Sequence, residues 1–288
     1  MQFLTLILSL FLAVFSIAAP LEPQNESNLK GLDLQGLGPN KRGIAYNDPG
    51  ITKLFPAPGS KVSWMWNWDS WTENAQDGYE YVPMLWSDHP DKTSQWEKHI
   101  DFWVHVGPGL THVMSFNEPD QCGNGGAHAC MQDIDRTVSA HIRWIEPLRK
   151  YGDKIKLGSP AVTNGHQDPA TGQKMGLDYL GHFLDWCIGC KIDFINIHWY
   201  GNHWEAEQFK QFVRDARGKA DGRAIWITEF GLLTANDEEK KSFLGEVLPW
   251  LDEQGDVDRY CFFWAVRGQL VREDGRGLSA HGQFYNTS

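Results

Sequence analysis

Past its first twenty residues, the chain contains no apolar run long enough to span a membrane, so no spanning helix is expected in the body of the protein. Basic residues are outnumbered: 26 Lys and Arg against 37 Asp and Glu leave a net charge of −11. No basic stripe interrupts this acidity, which argues against a nucleic-acid partner. Metal-ligand spacings are missing as well. His89, His128, His166, His203 and His281 form no H-E-x-x-H or other paired pattern, so neither a metal nor a cofactor is expected. Cysteines number five, and the one C-x-x-C, Cys187 and Cys190, has no second pair to complete a zinc centre. The folded part shows no internal repeat or low-complexity tract.

What the chain does have is tryptophan, 14 of them. Tryptophan fills cores, and its flat face also stacks on sugar rings. The N-terminus, "MQFLTLILSLFLAVFSIAAP", is a short apolar run ending in small residues, the pattern of a secretory signal over residues 1–19. A polar, Gly/Pro-rich stretch follows and ends at Lys41–Arg42, directly before the strand-like "GIAYN". That position reads as a propeptide, 20–42, with a dibasic processing site, leaving 43–288 as the folded domain. An extracellular destination is oxidising, so disulfides Cys122–Cys130 and Cys187–Cys190 are expected, with Cys261 a buried free thiol. Asn286 opens an N-T-S sequon near the end of the chain.

Eight short apolar runs punctuate 43–288: "RGIAYN", "VSWMWNW", "YVPMLW", "HVMSFNEP", "KLGSPAV", "FINIHWYG", "AIWITEFG" and "RYCFFWAV". They are continuous rather than alternating, as strands buried on both faces are. Between the later runs lie segments with apolar residues at helical spacing, such as "EAEQFKQFVRDARG" and "DEEKKSFLGEVLPWLDEQG". Eight strands alternating with helices predict an α/β fold, a single (β/α)8 barrel. The first two connections are too short to carry full helices, so the first two outer helices should be stunted or absent.

Barrel active sites gather at the C-terminal ends of the strands. Those ends here carry Asn47, then Asn67 and Trp68, then Trp86, then Asn117 and Glu118, then His198 and Tyr200, then Glu229, then Trp264. Glu118 and Glu229 follow the fourth and seventh strands and should face each other across the barrel mouth. A glycosidic bond needs two such carboxyl groups. A lone Glu at a rim is more often a salt-bridge partner; the pair, with Asn117 preceding one member, points to catalysis. His198 alone could be a proton shuttle, but a lone His there more often bonds a sugar hydroxyl or a neighbouring side chain.

"SFNEP" and "ITEFG" resemble the glycoside hydrolases of clan A. The ordered set "KRGIAYN", "WMWNW", "YVPMLW", "FNEPD", "HWYG", "WITEFG" and "FFWAV" resembles fungal glycoside hydrolase family 128 across essentially all of 43–288. The resemblance implies a retaining β-1,3-glucanase. In it, Glu118 matches the acid/base and Glu229 the nucleophile, Asn117 the amide on the sugar 2-OH, Tyr200 the donor to the nucleophile, and Trp264 the floor under the reacting sugar. The expected product is a secreted monomer acting on β-glucan, endo in its cleavage. The competing readings are a β-glucan-binding barrel of weak activity and a hydrolase of another β-glycan.

Overall fold

The computed structural model describes residues 41–123 and 128–288. The signal-peptide segment and the propeptide up to residue 40 lie outside the described residues. Eight parallel strands follow in chain order: β1 (Arg42–Ala45), β2 (Val62–Trp66), β3 (Glu80–Tyr81), β4 (His112–Val113), β5 (Lys156–Val162), β6 (Phe194–Gly201), β7 (Ala224–Leu232) and β8 (Val257–Phe262). Their order is β3-β2-β1-β8-β7-β6-β5-β4. The two ends of that order meet through a Met84–Met114 bridge, with Leu85 N–H donating to the Met114 carbonyl at 3.1 Å. The result is the (β/α)8 barrel that the alternation of runs predicts.

The helices are distributed unevenly. Only a 3₁₀ turn, Pro49–Leu54, separates β1 from β2, started by Asp48 accepting from Gly50 N–H at 2.8 Å. No helix stands between β2 and β3 among the described residues. From β3 onward the connections fill out: α1 (Pro90–Thr93) and α2 (Trp96–His105), α3 (Ile134–Trp144), α4 (Gly176–Trp186), α5 (Ala206–Ala220), α6 (Asp237–Glu253) and, after β8, α7 (Ala280–Thr287). α5 buries Phe209, Val213, Ala216 and Ala220, one stripe at helical spacing. Asn236 and Glu239 close a reciprocal capping box at the start of α6, which is what the "DEEKK" acids flank.

Tryptophan packs the barrel interior. Trp64, Trp66 and Trp226 are fully buried there, with Trp68, Trp86 and Trp264 half-buried against them toward the C-terminal mouth. A Cβ on Gly43 would sit 2.3 Å from the Trp64 ring, so the first strand carries glycine where the indole lies against its backbone. The opposite end is plugged by charge. Arg259 lies 4.5 Å from the Trp226 ring centroid and pairs with Glu80 at 2.5 Å, while His112 Nδ1 sits 2.9 Å from the same carboxylate. Burial would raise Glu80, but His112, Arg259 and Thr111 outweigh it and hold the group down at about 2.

Both expected disulfides form, and Cys261 is a buried thiol. Two other expectations meet the packing. Asn286 is fully buried; its amide donates to the Phe55 carbonyl at 2.9 Å and its oxygen accepts from Ser60 at 2.8 Å. A glycan there would have to displace both bonds. The anticipated processing point falls inside β1 rather than before it. Arg42 is 2% exposed, donates to Tyr260 Oη at 2.8 Å and to the Tyr285 carbonyl at 2.7 Å, and pairs with Asp252 at 3.1 Å. Lys41 Nζ reaches the Gln254 carbonyl at 2.6 Å. A cut after Arg42 would remove a strand residue and all of these bonds.

Candidate active site

A cleft of about 720 Å³ opens at the C-terminal mouth. Eight of the ten sequence-derived site residues line it: Asn47, Trp68, Trp86, Asn117, Glu118, Tyr200, Glu229 and Trp264. The barrel register brings them together. Glu118 N–H donates to the Ala161 carbonyl at 2.9 Å, which continues the β4–β5 pairing past the formal end of β4. Glu229 lies within β7, paired with His198 of β6. Glu118 itself has φ of 45°, a left-handed conformation that costs a non-glycine residue of order 1 kcal/mol or more. Trp68, at φ 58°, is bent the same way. Both side chains converge on one point.

That point is Glu229. Its carboxylate is 4% exposed and accepts from Tyr200 Oη at 2.5 Å and from Trp68 Nε1 at 2.8 Å. His198 Nδ1 is 2.8 Å from Glu118 Oε1 and 3.6 Å from Glu229 Oε2, and its Nε2 is 2.9 Å from Thr228 Oγ1. One donor atom from each of Glu118, His198 and Glu229 lies within 4.8 Å of the others. That spacing is close enough to hold a cation, and equally suits a proton passed among three groups. Burial and the Glu118 carboxylate push Glu229 above the usual range, while His198, Tyr200 and Trp68 pull it back. Burial alone would lower His198, but Glu229 and Glu118 outweigh it and raise the imidazole. A proton held on His198 offsets part of the two carboxylate charges. Burial and the same carboxylates push Tyr200 well above its ordinary value, so it stays a hydroxyl donor.

Two sequence-derived residues sit elsewhere. His198 is fully buried beneath the cleft and acts on the carboxylates, not on a sugar. Asn67 spends its polar atoms within its own turn: Nδ2 donates to the Trp71 carbonyl at 2.9 Å, and Oδ1 accepts from Tyr81 Oη at 2.7 Å. Residues that the sequence reading passed over also line the cleft, among them Thr163, Asn164, Met175 and Leu233. Asn164 holds Tyr200 in place, donating to its carbonyl at 3.0 Å and accepting from its N–H at 3.1 Å. The signal was present: "VTN" ends the fifth strand, and the strand-end rule applied there would have found it.

Asp120 was missed for a different reason, because it touches no cleft. It is fully buried two residues past Glu118, and its Oδ2 accepts from Thr163 N–H at 3.0 Å, Thr163 Oγ1 at 2.7 Å and Gly176 N–H at 2.8 Å. It clasps the Glu118 turn to the segment between β5 and α4. Burial raises Asp120 to about 6, against the pull of the Gly176 and Thr163 donors and with a further push from Glu118.

A family model described as "Glycosyl hydrolase catalytic core" matches residues 43–285. The chain belongs to glycoside hydrolase family 128. Among solved members of family 128, the chain is similar to a curdlan-specific exo-β-1,3-glucanase of subgroup III from Blastomyces gilchristii, crystallised with glucose. The two are 34% identical with a TM-score of 0.72, covering 87% of this chain and 100% of that one. A subgroup II endo-β-1,3-glucanase from Sorangium cellulosum is 26% identical with a TM-score of 0.70, covering 85% and 97%. A curated relative is Alkali-sensitive linkage protein 1 of Schizosaccharomyces pombe, 30% identical over 263 residues, 85% of this chain. The chain spans 44% of the length of that curated relative.

Proposed function

We propose that the protein is a secreted, retaining hydrolase of β-1,3-glucan. The observation that carries this reading is the carboxylate spacing. Oxygens of Glu118 and Glu229 lie within 4.8 Å of one another. Retaining enzymes keep the pair ~5–5.5 Å apart, whereas inverting ones leave ~6.5–9.5 Å for a water. Glu229, aimed by Tyr200 and Trp68, attacks the anomeric carbon and forms a glycosyl-enzyme ester. Glu118 gives its proton to the departing glycosidic oxygen, then takes one from the water that hydrolyses the ester. Asn117 meets the sugar 2-OH, and Trp264 supports the ring. The β-1,3 linkage rests on the two glucanases above, one acting exo and one endo. Endo action is favoured here by a second cavity that continues the cleft past Trp68 and Trp86. The test is release of reducing sugar from laminarin, with a panel of xylan, mannan and β-1,6-glucan beside it. Turnover of laminarin alone supports the reading. Turnover of another β-glycan in its place would move the substrate, and binding of laminarin without turnover would leave a glucan-binding barrel.

A further inference from the structure

Glu118 does not hold its backbone conformation alone. A residue other than glycine at φ 45° stays there only where its surroundings leave it no alternative. Its own N–H is fixed on the Ala161 carbonyl at 2.9 Å, and the Pro119 carbonyl accepts from Met131 N–H at 2.9 Å. Asp120 supplies the remaining grip with its side chain. One oxygen, Oδ2, accepts from Thr163 N–H, Thr163 Oγ1 and Gly176 N–H at 3.0, 2.7 and 2.8 Å. The other, Oδ1, is buried and bonds nothing among the described residues, so the grip depends on a single acceptor. The donor at position 176 has to be glycine: φ there is 61°, and a Cβ would stand 2.3 Å from the Gly165 carbonyl oxygen.

The far side of this clasp leads to the other carboxylate. Thr163 is followed by Asn164, whose Oδ1 accepts from Tyr200 N–H at 3.1 Å and whose Nδ2 donates to the Tyr200 carbonyl at 3.0 Å. Tyr200 in turn donates to Glu229 at 2.5 Å. Two adjacent residues at the end of β5 therefore join the Glu118 turn on one side and the donor to Glu229 on the other. A second carboxylate ties the same segments further out. Asp168 accepts from Cys122 N–H and from Gln132 Nε2, each at 2.6 Å, and Gln132 Nε2 also reaches the Asp120 carbonyl at 2.7 Å. With Asp168 holding the outer part of the loop, what Asp120 adds lies close to the chemistry. It acts two residues from Glu118, where a small turn of the backbone swings the carboxyl across the cleft. A displacement of about 1 Å at a reacting group costs on the order of a hundredfold in rate.

We propose that Asp120 is a positioning residue for proton donation: its clasp on Thr163 and Gly176 aims Glu118 at the glycosidic oxygen and keeps that aim in register with Tyr200 and Glu229. The proposal rests on the hydrolase reading and adds to it the device that holds the proton donor in place. Asp120→Ala removes the acceptor, Asp120→Asn keeps it and removes the charge, and Thr163→Val removes one donor while leaving the two N–H groups. The readout is the ratio of kcat/KM on laminaripentaose, whose leaving sugar needs a proton, to that on a dinitrophenyl β-glucoside, whose leaving group needs none. Asp120→Ala should lower that ratio about tenfold, part of the ~10²–10⁴-fold that an acid–base group contributes. Thr163→Val should lower it less, and Asp120→Asn should stay within about threefold of wild type. A role in folding alone lowers both rates together and leaves the ratio where it was. An unchanged ratio in Asp120→Ala and Thr163→Val, or in Thr163→Val where Asp120→Ala does not fold, overturns the proposal. So does equal damage in Asp120→Asn and Asp120→Ala, which would assign the effect to charge. If the wild type turns over no laminari-oligosaccharide, the substrate reading fails first, and amide hydrogen exchange then decides the clasp by itself. Exchange in Asp120→Ala, or in Thr163→Val where the former does not fold, should quicken about tenfold at Glu118, Thr163 and Tyr200 while β7 and β8 keep their rates. Quickening at Thr163 alone sinks it.

Discussion

The two halves of this barrel are built to different plans. From β4 to β8 each strand is backed by a helix or ends against one, and the strands there are up to nine residues long. From β1 to β3 the strands are five residues or fewer and the outer wall is a 3₁₀ turn and loops. The two cleft carboxylates, Glu118 and Glu229, come from the first plan, as do His198 and Tyr200 that attend them. The tryptophans of the cleft wall, Trp68 and Trp86, come from the second. Proton transfer needs a donor held within about 2.6–3.2 Å of its target; Glu229 is fixed inside the nine-residue β7, whereas β4 is only two residues long and Glu118, past its end, is held by its N–H bond to the Ala161 carbonyl of the longer β5 segment. Stacking on a sugar tolerates more play, and short strands with open loops leave room for a chain to lie across the rim. Trp68 joins the halves, since it stands in the β2 loop and hydrogen-bonds Glu229 of β7.

If the division is real, substitutions on the two sides should fail differently. Glu229→Gln should give the largest effect, a loss of turnover beyond the ~10²–10⁴-fold typical of an acid–base group, on every substrate including aryl glucosides. Glu118→Ala should lose turnover within that range on laminarin. It should be partly spared on aryl glucosides with good leaving groups, and azide should rescue it. Steady-state kinetics on both substrates would blur the division if the two variants behaved alike.

Asp120 probes the stiff half without touching substrate. Its value of about 6 lies above the ~3.9 of an unfolded aspartate, so the folded chain keeps a proton that the unfolded chain has released. Stability should therefore fall as pH rises from about 4 to about 6, by up to ~3 kcal/mol from this group. Denaturation of Asp120→Asn across that window should lack this slope. A slope identical to wild type would assign it elsewhere.

Arg42→Ala tests where the folded body begins. Removing the guanidinium strands the Tyr285 carbonyl in the core, a cost of about 1–3 kcal/mol. N-terminal sequencing of secreted protein gives the companion result: a start upstream of Lys41 keeps the clamp, and a start at Gly43 means the fold tolerates its loss. Trp86→Ala should be the mildest, raising KM for laminari-oligosaccharides several-fold with kcat nearly intact, in line with ~0.5–1.5 kcal/mol for an aromatic contact. A fall in kcat instead would place Trp86 with the chemistry.

Strand ends made most of the site legible in advance. Glu118, Glu229, Tyr200 and Trp264 could be read because a barrel turns sequence position into a place on one rim. The missing early helices were legible too, from connection lengths alone. For Asn67, strand-end position does not reveal that the amide is bonded within its own turn. For His198 the sequence left a sugar hydroxyl and a neighbouring side chain both open, because sequence carries no depth; the fold buries it against the two carboxylates. That Arg42 is buried and bonded to Tyr260 and the Tyr285 carbonyl was not legible from the Lys41–Arg42 pair, because a buried arginine and an exposed one are the same letter. Asp120 was hidden because its partners are far away in the chain.

The most direct test of the central claim is the anomer released first. Proton NMR of laminari-oligosaccharide hydrolysis, followed within seconds of mixing, should show the β anomer appearing before mutarotation supplies the α form, as a double displacement through Glu229 requires. The α anomer appearing first would mean a single displacement by water, and would contradict the roles given to both Glu118 and Glu229.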